Sequence, residues 1–133
     1  MKLKGRIISR GVATGEILLC KEPISFLGGV NPKTGLVIEK GSPIEGKSIA
    51  GKVLVFPRGK GSTVGSYVIF ELKRNGVAPA AIINGECEVI IAVGAIIAGI
   101  PALDKLKGDM FKLFKDGQIA KVDAINGFVE VKD

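Results

Sequence analysis

No histidine occurs anywhere in this 133-residue chain, and that absence removes a large part of enzyme chemistry. A serine or cysteine paired with an imidazole base cannot exist here, nor can a phosphoryl group be carried on an imidazole. Cysteine is nearly missing too: Cys20 and Cys87 lie far apart with no C-x-x-C spacing, so the chain alone cannot hold a zinc ion or an iron–sulfur cluster. Two buried thiols in a reducing compartment fit this usage, with a disulfide as the other possibility. Tryptophan is absent and Tyr67 is the only tyrosine, so aromatics make up 5% of the chain. The core must rest on Ile, Val, Leu and Ala. Few rings remain for base stacking, and the net charge of +6 is spread along the chain without a basic stripe, which argues against nucleic acid as partner. A long hydrophobic run is missing as well. Val89–Ile100 is apolar, but it is shorter than the roughly 20 residues a membrane helix needs, and it stops at Pro101. The start, Met1-Lys2-Leu3-Lys4-Gly5, passes directly into an alternating pattern, so neither a signal peptide nor a membrane is expected and the cytoplasm is the expected location.

What is present is 47% hydrophobic residues and nineteen glycines without a repeat, the composition of a folded protein with many turns and short strands. A chain of this length fits one domain, residues 1–133. Residues 2–20 read as two strands around a turn-rich link, Ser9–Gly15. Residues 21–51 are broken repeatedly by Gly and Pro, with Leu36-Val37-Ile38-Glu39 the clearest strand. Residues 52–84 read as strand, helix and strand, the crossover being long enough for parallel pairing. Glu86-Cys87-Glu88 opens a second helix through about Ala98, carboxylates favouring its N-terminal end. The tail forms two strands, 117–123 and 128–132, joined at Asn126-Gly127, a hairpin signal. The whole is mixed α/β, strand-rich at both ends, with a central β-α-β-α unit.

The segment Lys52–Ser66 concentrates the chemistry. An apolar strand ends at Pro57 and breaks into Arg58-Gly59-Lys60-Gly61-Ser62-Thr63-Val64-Gly65-Ser66, after which a helical run continues to Asn75-Gly76. Glycines, two cations, hydroxyls and a helix N-terminus at one point suit an anion, or an oxygen that must carry negative charge. A P-loop is excluded because Gly59-Lys60 is followed by Gly61 and not by Ser or Thr. A dinucleotide fingerprint is a weak match: Gly59, Gly61 and Gly65 are followed by Glu86, but the chain is short for a doubly wound sheet. Without histidine, Ser62 would have to be activated by its surroundings, and helix-end effects of ~0.3–2 kcal/mol do not ionise a hydroxyl unaided. Taken alone, the residues favour a capping or anion-binding serine over a reactive one.

Four segments taken together, Phe26–Gly35, Gly51–Val55, Gly59–Ser66 and Gly94–Pro101, resemble the small, swivelling subunit of the aconitase X family, over nearly the whole chain. The resemblance implies a swivelling β/β/α domain, like the small domain of aconitases. It further implies a heterodimer with a large catalytic subunit that carries a [4Fe–4S] cluster, none being bound by this chain. The implied activity is that of a hydro-lyase removing water from (R)-5-phosphomevalonate to give trans-anhydromevalonate 5-phosphate, in a modified mevalonate route to isoprenoids. A related branch dehydrates cis-3-hydroxy-L-proline. By the same resemblance Ser62 is the proton acceptor, while the cluster acts as Lewis acid for the departing hydroxyl. Two departures stand out: Asn31-Pro32 occupies a loop where the family more often carries Asp, and Thr63-Val64 follows the serine where classical aconitases place an Arg. Substrate binding then falls to Arg58 and Lys60, with Gly61 and Thr63 beside them. Gly11–Gly15, Gly99–Ala102 and 116–129 also resemble the phosphohistidine domain of phosphoenolpyruvate-using enzymes, which supports the same fold, although no histidine is present to be phosphorylated. The reading of another class is a non-catalytic module that holds a phosphate in the Gly59–Ser66 loop.

Overall fold

The computed structural model describes residues 1–132. Its strands are β1 (Lys2–Lys4), β2 (Arg6–Ser9), β3 (Val12–Leu19), β4 (Val53–Phe56), β5 (Ala81–Asn84), β6 (Ala102–Asp104), β7 (Ile119–Asp123) and β8 (Phe128–Val131). They run in the order β1-β8-β7-β3-β4-β5-β6-β2. Strands β3, β4, β5 and β6 pair in parallel, while β7, β8, β1 and the outer strand β2 pair antiparallel to their neighbours. The helical elements are the single turn α1 (Phe26–Gly29), α2 (Gly65–Arg74), α3 (Val89–Ala98) and the short α4 (Met110–Leu113).

Alternation along the central strands sorts the core into two apolar layers. Leu54, Phe56 and Ile82 face α2 and α3, where Ile69, Leu72 and Ile91 meet them. Val53, Val55 and Ile83 face the other way, onto Ala120, Val122 and Val129 of β7 and β8. Both faces of β4 and β5 are therefore buried, which is why they read as unbroken apolar runs. The result is the three-layer β/β/α arrangement that the swivelling-domain resemblance implies.

Four expectations are corrected. The link Ser9–Gly15 narrows to Arg10-Gly11, and Val12 opens the eight-residue β3. Gly15 sits inside that strand because a Cβ there would lie 2.6 Å from the Gly51 carbonyl oxygen; it marks a close backbone approach and not a turn. Leu36–Glu39 forms no strand. Val37 and Leu36 make isolated bridges to Val30 and Ser48, and the Gly and Pro residues that follow prevent a ladder. Further, β6 and α4 are additional elements between the second predicted helix and the tail. Residues 2–20 hold three strands where two were expected, while the parallel β4–β5 pair, the helices α2 and α3, and the hairpin whose Gly127 takes φ +84° form as expected.

Candidate functional site around the Gly59–Ser66 loop

The loop leaves the C-terminal edge of β4 and is stitched to a neighbouring segment. The Ile24 N–H donates to the Arg58 carbonyl at 3.2 Å, and the Lys60 N–H donates to the Ile24 carbonyl at 3.0 Å. All three glycines are explained by packing. A Cβ on Gly59 would lie 2.6 Å from both Oε1 of Glu88 and Cγ1 of Ile91, and one on Gly61 would lie 2.6 Å from Oγ of Ser25. Gly65 faces Ile90 at 3.2 Å, and Gly61 also takes φ +87°. The space a nucleotide would need against these glycines is filled by the protein itself. That removes the dinucleotide reading.

Ser62 is exposed, and its Oγ accepts a hydrogen bond from the Val64 N–H at 3.1 Å. It does not cap α2 directly. A tight turn intervenes, in which the Gly65 N–H donates to the Ser62 carbonyl at 2.9 Å and the Ser66 N–H to the Thr63 carbonyl at 3.2 Å. The Tyr67 and Val68 N–H groups both donate to the Val64 carbonyl. The donors that would hold an anion at this helix end are thus spent locally, which weakens the passive phosphate-site reading. The loop's second serine has a different fate. Ser66 is buried and donates to the Ile90 carbonyl at 2.7 Å, tying α2 to α3.

The two cations also separate. Lys60 is paired: its Nζ lies 2.9 Å from Oε2 of Glu39, and the hydrogen bond first, then the charge, hold the ammonium above the usual lysine range. Arg58 is exposed and makes no ion pair among the described residues. Thr63 is exposed beside Ser62. Glu39 had no signal in the sequence, because it reaches the loop from a distant segment. It is held there by α1, whose Leu27 and Gly28 adopt the backbone of a type II turn, with Gly28 at φ +82°. Gly29 leaves room for the Glu39 side chain, whose Oε1 a Cβ there would meet at 2.9 Å. The Ser25 N–H donates to the same oxygen at 3.4 Å.

Each chain neighbour of Ser62 lines a depression. On the Gly61 side a cleft of about 400 Å³ is lined by Ser25, Leu27, Gly28, Glu39, Lys60 and Gly61. On the Thr63 side an apolar groove of about 230 Å³ is bounded by Thr63, Val64, Tyr67, Val89, Ile90 and Val93. At the ends of β5 and β6, Asp104 gathers Arg6 and the Cys87 N–H into a polar cluster, with Asn84 opposite Asp104 in the strand register. Asp104 is fully buried, takes Nε and Nη2 of Arg6 at 2.9 and 2.8 Å, and accepts from the Cys87 N–H at 2.7 Å. Burial first, then the neighbouring carboxylates Asp104 and Glu88, push the Cys87 thiol up to about 12. Cys20 and Cys87 are both free. Among the described residues no set of His, Cys, Asp or Glu is arranged to hold a metal ion, and no helix is long and apolar enough to cross a membrane.

The family model for the aconitase X swivel domain matches residues 2–131. This chain belongs to the aconitase X swivel-domain family. A small subunit of phosphomevalonate dehydratase from Thermococcus onnurineus is similar to it at 61% identity, each chain covered fully. One from Methanosarcina acetivorans is 59% identical over 98% of this chain and 91% of its own length. Among solved structures, Thermococcus kodakaraensis aconitase X in its holo-form superposes with a TM-score of 0.95 at 56% identity, covering 100% of this chain and 99% of that one. A UPF0107 protein solved by solution NMR matches at a TM-score of 0.90 and 51% identity, with both chains fully covered. The swivelling-domain architecture expected from the sequence is therefore that of the aconitase X family.

Proposed function

We propose that this chain is the small subunit of a cytoplasmic hydro-lyase that removes water from (R)-5-phosphomevalonate to give trans-anhydromevalonate 5-phosphate, a step of a modified mevalonate route to isoprenoids. The substrate class follows from the relatives, which are named phosphomevalonate dehydratase small subunits at 54–61% identity. The observation that carries the chemical role is Ser62, an exposed hydroxyl with a backbone N–H aimed at its oxygen, whose chain neighbours Gly61 and Thr63 each line an open depression.

Losing water requires one group to accept a carbon-bound proton and another to accept the hydroxyl. In this reading Ser62 Oγ takes the proton. The Val64 N–H stabilises its anionic form by roughly 1.5 kcal/mol, the low end for a hydrogen bond to a charged group, and the first N–H groups of α2, spent within the turn, add little. That is about one pKa unit, at 1.36 kcal/mol per unit, and far short of what a serine needs. The remaining charge and the exclusion of water must come from a partner closing over the loop. Arg58, which makes no ion pair among the described residues, receives an anionic group of the substrate, while Lys60, Gly61 and Thr63 complete the wall. Two cysteines without histidine do not fit a [4Fe–4S] cluster, which needs about four thiolates. The cluster implied by the family is assigned to the large subunit, and hydroxyl departure falls on that side.

The test is co-expression with the large subunit and an assay of water loss from (R)-5-phosphomevalonate and from cis-3-hydroxy-L-proline. Turnover of the first substrate only is expected. Ser62→Ala is expected to assemble normally and to lose turnover. A fully active Ser62→Ala complex removes the proton-acceptor role, and turnover of the hydroxyproline alone reassigns the substrate.

A further inference from the structure

The outer face of the helical layer carries a large, nearly uncharged apolar surface. Helix α3 carries no charged residue, yet Val89 is 73% exposed and Ile96 and Ile97 are 58% and 52% exposed. Val93 continues the stripe, and Tyr67 and Phe70 extend it across α2. The groove running from Tyr67 to Val89 and Val93 makes the patch continuous. Standard side-chain areas put the exposed apolar surface at roughly 600 Å², at the top of the ~300–600 Å² range of the largest patch on a typical monomer. It also approaches the ~800 Å² each partner contributes to a stable interface.

We propose that this α2–α3 face is where the large subunit docks, an inference that rests on the small-subunit reading given above. The position of the patch selects that occupant. Thr63 and Val64, the two residues after Ser62, form the lip of the groove, so a partner seated on α2 and α3 is brought against the reactive loop. A second copy of this chain is the poorer occupant. Two copies would each bring a net charge of +6, and pairing through this face would cover Ser62 with a surface that supplies nothing to the reaction. The close approach of α2 and α3 keeps the face flat and fixed. A Cβ at Gly94 would lie 3.3 Å from Cα of Ser66 and 2.7 Å from Cδ1 of Ile69, so the helices pack closely at this point.

The test uses Val89→Glu and Ile96→Lys, charges whose signs suit the two ends of α3 and whose positions are more than half exposed. The full chain and the purified large subunit are titrated by isothermal calorimetry, with a substitution at the exposed Lys121 of β7, Lys121→Glu, as control. Each α3 variant is expected to weaken binding by about 30-fold or more, as central interface positions do. The melting temperature of the isolated chain should stay near wild type, and turnover should return when the large subunit is in excess. Wild-type affinity in both variants overturns the proposal. So does a wild-type chain that dimerises in sedimentation, is split by Ile96→Lys and binds the large subunit unchanged. A pair that assembles through this face without dehydrating either substrate leaves docking intact and sinks the proposed function. Turnover with unweakened variants does the reverse.

Discussion

Nζ of Lys60 lies 2.9 Å from Oε2 of Glu39, so a cation of the glycine-rich loop is held by a carboxylate from a segment twenty-one residues earlier in the chain. With Lys60 raised above its ordinary value, the ammonium's contribution is complete below the usual lysine pKa of about 10.4 and fades as pH rises through the higher folded value. Across the neutral range Lys60 therefore does not titrate. Lys60→Ala and Glu39→Gln are each expected to lower kcat/KM of the assembled enzyme, with the double variant no worse than the more damaging single. Additive losses in the double-mutant cycle would show that the two act separately. Arg58→Ala, which frees no carboxylate, is expected to act mainly through KM.

The two serines of the loop make opposite predictions. Ser66→Ala removes the 2.7 Å bond to the Ile90 carbonyl and is expected to cost about 1 kcal/mol of stability while turnover stays near wild type. Ser62→Ala is expected to leave the denaturation midpoint almost unchanged while turnover is lost. Urea melts and steady-state rates on the same preparations separate the two.

At Gly94 there is no room for a side chain between Ile69 and Ser66. Gly94→Val forces α2 and α3 apart, and a loss of about 1–3 kcal/mol is expected from overpacking. Equilibrium denaturation reads this directly. Because Ser66 and the loop move with α2, activity should fall further than stability alone explains.

Asp123 closes the β7–β8 hairpin. Its Oδ1 accepts from the N–H groups of Ile125 and Asn126 at 3.0 and 2.9 Å, and its Oδ2 from Nδ2 of Asn126 at 3.0 Å. The hydrogen bonds from the Asn126 side chain and backbone hold the carboxyl below its ordinary value. A depressed folded pKa means the contribution is complete above the unfolded value of about 3.9 and disappears as pH falls through the folded one. Wild type is expected to exceed Asp123→Ala in stability at neutral pH, the gap closing only in acid. A gap that does not narrow at all on acidification would show that packing, not the charge, is responsible.

The Cys87 thiol, pushed up to about 12, is almost wholly protonated at pH 8. Buried Cys20 is likewise raised, by desolvation first. Alkylation by iodoacetamide at pH 8 is expected to be slow at both positions in the native chain and fast once it is unfolded, as mass spectrometry would show. Rapid native labelling of Cys87 would mean that the Arg6–Asp104 cluster opens in solution.

Much of this architecture was readable because local pattern and tertiary role agree. Val53–Phe56 and Ala81–Asn84 are apolar throughout since both faces are covered, and Asn126-Gly127 supplies the backbone a hairpin needs. The glycines and cations of the loop mark it in the sequence, but the purpose of the glycines has no local signal. They make room for Ser25, Glu88 and Ile90–Ile91, contacts that exist only once distant segments meet. The tie between Glu39 and Lys60 is non-local in the same way. Gly15 misled for a related reason: a residue that looks like a turn was chosen for the nearness of Gly51.

Strand β3 has one more consequence. Its first part, Val12–Glu16, pairs with β7, and its last part, Ile17–Leu19, pairs with β4, so a single stretch of backbone belongs to both strand layers. Neither layer can be peeled away without breaking the hydrogen bonds that start the other. Amide exchange in the two should report one shared opening event, and any swing that carries Ser62 toward a partner has to carry the β7–β8 hairpin with it. The pivot for such a swing lies outside β3.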